Sequence, residues 1–173
     1  PIQPDTALEL TPDQQSVVDR VCAGLGDGFR VFLLNGVTGS GKTEVYLHVA
    51  SEVIQSGLGV LVLVPEIALI TQIEHRFRAR FGEQVAILHS GLSAGQRYDQ
   101  WSRILERKTT IAIGARSAVF APFDRLGVII VDEEHDPSYK QESSPRYNAR
   151  DLAIVRARQN NCPVLLGSAT PSV

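Results

Sequence analysis

Cysteine is scarce in this sequence, and its two cysteines lie near opposite ends of the chain. Cys22 and Cys162 form no CxxC pair and have no histidine beside them at the spacing of a zinc site. Neither a zinc centre nor a disulfide framework is therefore indicated. We expect two buried, reduced thiols.

Long apolar runs and an excess of charge of one sign are missing as well. The longest apolar runs, such as residues 60–64 and 128–131, are far shorter than the roughly 20 residues that a membrane-spanning helix needs, so no contact with a membrane is expected. The 17 Lys and Arg residues oppose 19 Asp and Glu residues, for a net charge of −2. No global positive field points to a nucleic-acid partner, and any such contact must be local.

The composition, with 43% hydrophobic and 21% charged residues over 173 positions, is that of one folded domain rather than a disordered or collagen-like chain. Residues 1–5 contain no basic or apolar segment, so a signal peptide is not expected. The start without methionine, and an end directly after a predicted strand, lead us to expect that residues 1–173 are one domain of a larger protein.

Short β-branched or leucine-rich segments alternate with segments of helical spacing. Candidate strands are residues 30–34, 59–64, 85–89, 110–113, 127–131 and 163–167, and candidate helices are residues 42–55, 67–81, 94–106 and 149–159. This alternation predicts an α/β fold with a mostly parallel central sheet and helices on both faces, a three-layer sandwich. Residues 136–147, rich in Pro, Ser and charge, are expected to form a long loop.

The sequence GVTGSGKT at residues 36–43 fits the phosphate-binding pattern G-x-x-x-x-G-K-[ST] between a predicted strand and a predicted helix. Glycines let the backbone close around a phosphate, and the helix N terminus adds its positive dipole end. We expect Lys42 to reach the β- and γ-phosphates and Thr43 to hold Mg²⁺. The other nucleotide-binding residues would be Gly36, Thr38, Gly39, Ser40 and Gly41.

Two alternatives to this interpretation are weaker. A glycine-rich turn with an exposed lysine would not require the complete motif between a strand and a helix. A dinucleotide-binding fingerprint fails because Glu44 stands where a third glycine is needed, which disfavours NAD and FAD.

The acidic sequence DEEH at residues 132–135 follows the apolar run 127–131. Parallel sheets bind ligands at the carboxyl ends of their strands, so we expect Asp132 to face the Mg²⁺ held by Thr43 and Glu133 to orient a water for attack. Alone, such an acidic run is as often a solvated strand end, and His135 alone would be a polar loop residue. Because the acidic run occurs together with the phosphate-binding motif, a hydrolytic site explains it better than a solvated strand end does.

The sequence GSAT at residues 167–170 follows the last predicted strand, and Ser168 and Thr170 could bridge the acidic residues to a moving part. GxxxxGKT, DExH and SAT in this order resemble motifs I, II and III of the superfamily 2 helicases. LVPEIAL at 63–69, GARSAVF at 114–120 and RYNARDL at 146–152 extend the resemblance to the bacterial primosomal replication-restart helicases over nearly the whole chain.

The resemblance implies a RecA-like P-loop domain, the first lobe of a 3′-to-5′ helicase that couples hydrolysis of ATP with Mg²⁺ to translocation on single-stranded DNA. It implies single-stranded and forked DNA, primosome proteins and single-strand-binding protein as partners, in the bacterial cytoplasm. The family also has a second helicase lobe with an arginine finger and a zinc-binding cysteine cluster. Without that arginine, this chain is expected to bind nucleotide but to hydrolyse it slowly.

The resemblance also assigns roles that the residue types alone do not. Gln14, in LTPDQ at residues 10–14, would hydrogen-bond the adenine, although as a residue it only opens a helix. Residues after two strands would contact the DNA backbone, namely Pro65, Glu66, Arg116 and Ser117. Further coupling or DNA-contacting residues would be His135, Tyr139, Lys140, Arg146, Tyr147, Ser168 and Thr170.

Residues 137–158 carry five basic and two acidic side chains, a local charge of +3. Cations among tyrosines suit single-stranded DNA, since rings stack on bases, but a solvated loop and helix face fits the composition equally well. The family's aromatic-rich loop, which couples DNA contact to hydrolysis, corresponds to residues 137–147. Here Ser144 and Pro145 stand where the family commonly has Gly-Trp, which leaves stacking to Tyr139 and Tyr147. The basic residues are Lys140, Arg146, Arg150, Arg156 and Arg158.

Other classes of function remain open from the sequence. A small-molecule kinase shares GxxxxGKT but would need an acceptor pocket and a lid instead of DExH and SAT. A nucleotide-binding switch would recruit proteins without responding to DNA. Another DExH DNA translocase, such as a repair or restriction motor, would share all three motifs.

Overall fold

The computed structural model describes residues 7–35 and 40–168. Its helices are α1 (Pro12–Ala23), α2 (Ser40–Gln55), α3 (Ile67–Phe81), α4 (Ala94–Leu105) and α5 (Ala149–Gln159). Its strands are β1 (Val31–Leu34), β2 (Gly59–Leu63), β3 (Val85–Leu88), β4 (Ile111–Gly114), β5 (Leu126–Val131), β6 (Lys140–Gln141), β7 (Tyr147–Asn148) and β8 (Val164–Gly167). Short 3₁₀ helices span Gly82–Gln84, Arg116–Phe120 and Pro137–Tyr139.

Six strands form one sheet in the order β1-β8-β5-β2-β4-β3, and every neighbouring pair is parallel. The α/β prediction is confirmed, and α3 and α5 have the predicted bounds. All six carboxyl ends lie at one edge of the sheet, where ligands bind in open parallel sheets. The strand β5, which carries the acidic sequence, lies between β2 and β8 near the middle of that edge.

The sheet separates two apolar cores, as the three-layer prediction requires. On one face, Val60 and Val62 of β2 pack with residues of α1, α2 and α3, including Val21, Val49 and Phe77. On the other face, Leu61 and Leu63 pack with residues of α4 and α5. The alternation of side chains along β2 therefore buries both faces, which explains its continuous apolar sequence.

Side-chain caps stabilise the first turns of α1, α4 and α5. Thr11 and Gln14 form a capping box at the start of α1, and Ser93 and Gln96 form the same arrangement at α4. The side chain of Asn148 accepts hydrogen bonds from the first turn of α5. These contacts satisfy N–H groups that a helix start leaves without partners.

Residues 136–147 are not an irregular loop, so that prediction is wrong. Asp136 caps the 3₁₀ helix Pro137–Tyr139, and β6 pairs antiparallel with β7, with Gln141 opposite Tyr147. The amide of Gln141 donates to the carbonyl of Pro145 at 2.9 Å and closes the turn. Strands of two residues are too short to give an alternating pattern, which is why the sequence did not reveal this hairpin.

The basic side chains of residues 137–158 do not share one surface. Arg156 is half-buried and donates to the carbonyls of Val119 at 2.8 Å and Phe123 at 3.3 Å. Arg150 forms ion pairs with Glu134 at 3.0 Å and Asp151 at 3.1 Å. Two of the five basic side chains therefore bond other parts of the fold.

The two cysteines lie at different depths in the fold. Cys162 is buried as predicted, but Cys22 is only half-buried. Burial raises the pKa of each thiol to about 11. Within residues 7–35 and 40–168, none of the helices has the length and apolar character to cross a bilayer.

Candidate nucleotide-binding site and adjoining groove

The first turn of α2 places a lysine against the acidic end of β5. The Nζ atom of Lys42 lies 3.2 Å from Oδ1 of Asp132 and also donates to Oε1 of Glu133. The lysine side chain is only 4% exposed. A buried ammonium group needs such partners, because an unpaired charge away from water is strongly unfavourable. The predicted phosphate lysine and the predicted acidic pair are thus in direct contact.

The chain turns sharply after Asp132, and this turn aims Glu133 at the lysine. Glu133 has φ of +49°, in the left-handed region that residues with a side chain rarely adopt. The turn is fixed on both sides, since the N–H of Asp132 donates to Leu63 and that of Glu134 donates to Gly167, both at 2.9 Å. Backbone in this region persists only when its surroundings hold it, and it is concentrated at functional sites.

Two buried tyrosines hold Asp132. The hydroxyl of Tyr46, on α2, donates to Oδ1 of Asp132 at 2.7 Å. The hydroxyl of Tyr139 donates to the carbonyl of Asp132 and, at 3.1 Å, to that of Leu63. Burial and the charge of Asp132 raise the pKa of both hydroxyls far above the usual value. Both tyrosines therefore stay protonated and act as donors.

Tyr139 is 1% exposed, so the prediction that it stacks on DNA is wrong. The sequence suggested stacking because tyrosine stood in a polar segment. In the structure, the 3₁₀ helix Pro137–Tyr139 turns the ring into the core beneath β2 and β5, where it packs among apolar side chains.

A cavity of about 280 Å³ lies beside this ion pair, and its lining residues are Lys42, Thr43, Leu69, Gln72, Ile73, Arg76, Asp132 and Glu133. Its oxygen donors suit Mg²⁺, which prefers carboxylates and hydroxyls. Within the described ranges, no group of three His, Cys, Asp or Glu side chains is arranged to hold a metal. Thr43, Asp132 and Glu133 supply oxygen ligands that fit an ion which takes its remaining ligands from phosphates and water.

Gln14 lies next to the phosphate-binding helix, but its amide already has partners. Its oxygen accepts from the N–H of Thr11 at 2.8 Å, and its nitrogen donates to the carbonyl of Gly41 at 3.3 Å. The residue thus joins α1 to the start of α2. Its predicted contact with adenine stays a prediction.

A groove of about 700 Å³ runs along the same edge of the sheet, over the ends of β2, β3 and β4. It contains three of the predicted DNA-contacting residues, Pro65, Arg116 and Ser117. It also contains residues that the sequence analysis did not single out, namely Ile67, Leu88, His89, Ser90, Arg97, Trp101, Ala115, Phe120, Ser138 and Gln141. Trp101 is the one tryptophan of the chain and lies one helical turn after Arg97 on α4, a spacing that could have identified it.

The hairpin of β6 and β7 is attached to this groove. The guanidinium of Arg116 donates to the carbonyl of Lys140 at 2.8 Å. The ring of Tyr147 packs edge-on against Phe120, with ring centroids 5.3 Å apart. Tyr147 is half-buried, whereas Lys140 and Arg146 are exposed.

The remaining predicted residues lie at different depths. Glu66 precedes α3 and is exposed, and His135 is exposed, with its Nε2 atom 2.6 Å from Oε1 of Glu134. Ser168 is buried, and its N–H donates to the carbonyl of Leu34 at 3.0 Å. Ser40 begins α2. Outside the described residues lie Gly36, Thr38, Gly39 and Thr170.

Sequence reasoning missed the partners of Glu44, which it used only to exclude a dinucleotide site. This carboxylate is 3% exposed and forms ion pairs with Arg76 and, at 3.0 Å, with Arg80. It also accepts a hydrogen bond from the N–H of Leu8 at 3.1 Å. Glu44 therefore ties α2 to α3 directly behind Thr43.

Comparison with known proteins agrees with this arrangement. The sequence model of the DEAD/DEAH box helicase family matches residues 11–173. The chain belongs to this family. Its fold resembles that of the UvsW helicase of bacteriophage T4, with a TM-score of 0.67 at 16% identity over 96% of this chain and 55% of that one.

Curated members of the family support the more specific resemblance. The chain is 53% identical over 167 residues to the replication restart protein PriA of Bacillus subtilis. This alignment covers 96% of the present chain and 21% of PriA. The chain is 56% identical over 146 residues to PriA of Haemophilus influenzae, covering 84% and 20%. The resemblance to replication-restart helicases is confirmed. The chain spans about a fifth of the length of these relatives.

Substituting Tyr139 tests the corrected role of that residue. Tyr139→Phe should lower the free energy of unfolding by about 1–3 kcal/mol, because the buried carbonyl of Asp132 loses its tyrosine donor. Tyr98→Phe is the matched control, since Tyr98 is 72% exposed and should change stability little. Urea denaturation measures both variants. Equal stability of Tyr139→Phe and the unsubstituted chain would contradict the buried hydrogen bonds.

Proposed function

We propose that this chain, residues 1–173, is the first RecA-like, ATP-binding lobe of a DNA helicase that translocates 3′ to 5′ on single-stranded DNA in replication restart. The observation that supports this most directly is the position of two sites at one edge of the sheet. The cavity beside Lys42, Asp132 and Glu133 is lined by Leu69, Gln72 and Ile73 of α3, and the groove is lined by Ile67 of the same helix. The proposed nucleotide site and the proposed nucleic-acid site are thus both bordered by α3.

The nucleotide site explains how hydrolysis is prepared. In the structure, the ammonium group of Lys42 pairs with the carboxylates of Asp132 and Glu133. The phosphates of ATP would attract this ammonium group, and the freed carboxylate of Glu133 would then orient the attacking water and accept its proton. Thr43 and Asp132 would hold Mg²⁺, which would supply positive charge against the phosphates. The start of α2 would place its N–H groups against the phosphates.

The groove combines the chemistry that single-stranded DNA requires. Arg97 and Arg116 supply positive charge for phosphates, and Ser90 and Ser117 supply hydroxyl groups. Trp101 and Phe120, which are 36% and 52% exposed, offer rings on which any base can stack. Trp101 thus supplies an indole ring from α4, although the hairpin has Ser144 and Pro145 where the family has its tryptophan.

The name of the curated relatives supports the cellular context of the proposal. We place the full-length protein in the bacterial cytoplasm, at forked DNA, with primosome proteins and single-strand-binding protein as partners. A second lobe of the same protein would supply the arginine that completes hydrolysis. Zinc would bind to a part of the full-length protein other than residues 1–173. A different DExH translocase shares the motifs, and DNA-dependent recruitment of primosome proteins by the full-length protein distinguishes the two.

Substituting the phosphate lysine tests the nucleotide site. Lys42→Ala should weaken binding of a fluorescent ADP in the presence of Mg²⁺ by roughly 10- to 100-fold, since a charged hydrogen bond contributes about 1.5–3 kcal/mol. Lys108→Ala is the control, because Lys108 is an exposed lysine paired with Glu106. Fluorescence titration measures the affinities. Unchanged affinity in Lys42→Ala would overturn the assignment of the phosphate site.

The single tryptophan provides a direct test of the groove. Titration of the chain with oligothymidylate should quench the fluorescence of Trp101 as bases stack on it. Arg97→Ala should weaken binding and reduce the slope of log K against log salt by about 0.7, the value for one lost phosphate contact on a single strand. Arg107→Ala should leave the slope unchanged, since Arg107 is exposed and pairs with Asp124 outside the groove.

Three outcomes would contradict the proposed binding of single-stranded DNA in the groove. Unchanged fluorescence at saturating DNA would show that single strands do not enter the groove. Equal loss of slope in Arg97→Ala and Arg107→Ala would indicate nonspecific attraction to the surface. A nucleotide-binding switch that does not act on DNA predicts no binding in any variant.

A further inference from the structure

Tyr46 is a fully buried side chain whose only polar atom touches the site. Its hydroxyl donates to Oδ1 of Asp132 at 2.7 Å, and the same oxygen lies 3.2 Å from the ammonium group of Lys42. Lys42 and Tyr46 are four residues apart on α2, so they lie on one face of the helix. The helix that carries the phosphate lysine therefore also carries the group that holds the acidic residue.

Gly167, at the end of β8, is fitted to this tyrosine. A Cβ atom at residue 167 would lie 1.8 Å from the Tyr46 hydroxyl, 3.1 Å from its Cζ atom and 3.2 Å from Oδ1 of Asp132. The first distance is far shorter than any real contact, so no side chain can stand there while the hydroxyl is present. Glycine is required here for space.

A role in packing alone does not explain this arrangement. Phenylalanine would fill the same buried volume without placing a hydroxyl where it must find a partner or cost free energy. It would also remove the closest contact, at 1.8 Å, that excludes a side chain at residue 167. The buried hydroxyl of Tyr46 and the glycine that leaves room for it are both explained if the hydrogen bond from Tyr46 to Asp132 has a function.

We propose that Tyr46 is a positioning residue for the carboxylate of Asp132, and that Gly167 provides the space for its hydroxyl. This inference rests on the proposed function. When Lys42 turns to the phosphates, Asp132 loses one of its two partners at Oδ1. The tyrosine hydroxyl then keeps the carboxylate in the orientation that receives Mg²⁺. Tyr46 thus contributes to the binding of nucleotide with metal, and not to binding of nucleotide alone.

The test is Tyr46→Phe in the full-length protein, with the affinity for fluorescent ADP measured in Mg²⁺ and in EDTA. The ratio of the two affinities should fall by about 10-fold or more, because loss of a partner that orients a metal ligand typically costs 10- to 100-fold in metal affinity. The affinity in EDTA should stay the same, since Lys42 and the loop are intact. Tyr98→Phe is the control and should leave both affinities unchanged.

A ratio equal to that of the unsubstituted protein would overturn the positioning role. An equal loss in Mg²⁺ and in EDTA would also overturn it, because that pattern indicates a general disturbance of α2. The proposed function fails separately, through unchanged nucleotide affinity in Lys42→Ala. Loss of binding in Lys42→Ala together with an unchanged ratio in Tyr46→Phe would reject only the role of Tyr46.

A second pair of variants tests the fit without metal or nucleotide. Gly167→Ala should lower the thermal midpoint of the protein or prevent its folding. Gly167→Ala combined with Tyr46→Phe should recover a large part of the loss, because the nearest ring atom, Cζ, then lies 3.1 Å from the added methyl group. Equal losses from Gly167→Ala in both backgrounds, or failure of both variants to fold, would overturn the fit between the tyrosine and the glycine.

Discussion

The contact on which the candidate nucleotide-binding site depends is the buried ion pair between Lys42 and the carboxylates of Asp132 and Glu133. It joins the start of α2 to the end of β5, two points 90 residues apart in the chain. Such a group of charges is stable only while it stays complete, since removing one partner leaves the other charge buried and unpaired. In the proposed function, the phosphates of the nucleotide would offer the lysine stronger negative partners and so free the carboxylates of Asp132 and Glu133.

The surrounding structure limits which parts can move when that exchange occurs. Tyr46 and Tyr139 hold the carboxylate and the carbonyl of Asp132, so the acidic end of β5 stays fixed. Glu44 ties α2 to α3 through Arg76 and Arg80. Because α3 also borders the groove, a shift at the phosphates would reach the proposed DNA contacts through this helix.

The fold and the location of the candidate site were predictable because each depends on local pattern. Continuous apolar strands between helices predicted the parallel sheet, and the motifs GxxxxGKT and DEEH predicted that Lys42, Asp132 and Glu133 belong to one site. The burial of Tyr139 was not predictable, because a tyrosine in a polar segment gives no sign of a turn into the core. The contacts of Arg150 with Glu134 and of Arg156 with Val119 and Phe123 join residues at least 16 positions apart, so composition alone could not show them.

The most direct test of this account is a crystal structure of the chain with Mg²⁺ and ADP–beryllium fluoride, an analogue of ATP. The account predicts that the Nζ atom of Lys42 contacts the phosphate analogue and has left Glu133, while the hydroxyl of Tyr46 still donates to Asp132. A structure in which nucleotide is bound and Lys42 still bridges Asp132 and Glu133 would contradict the central claim.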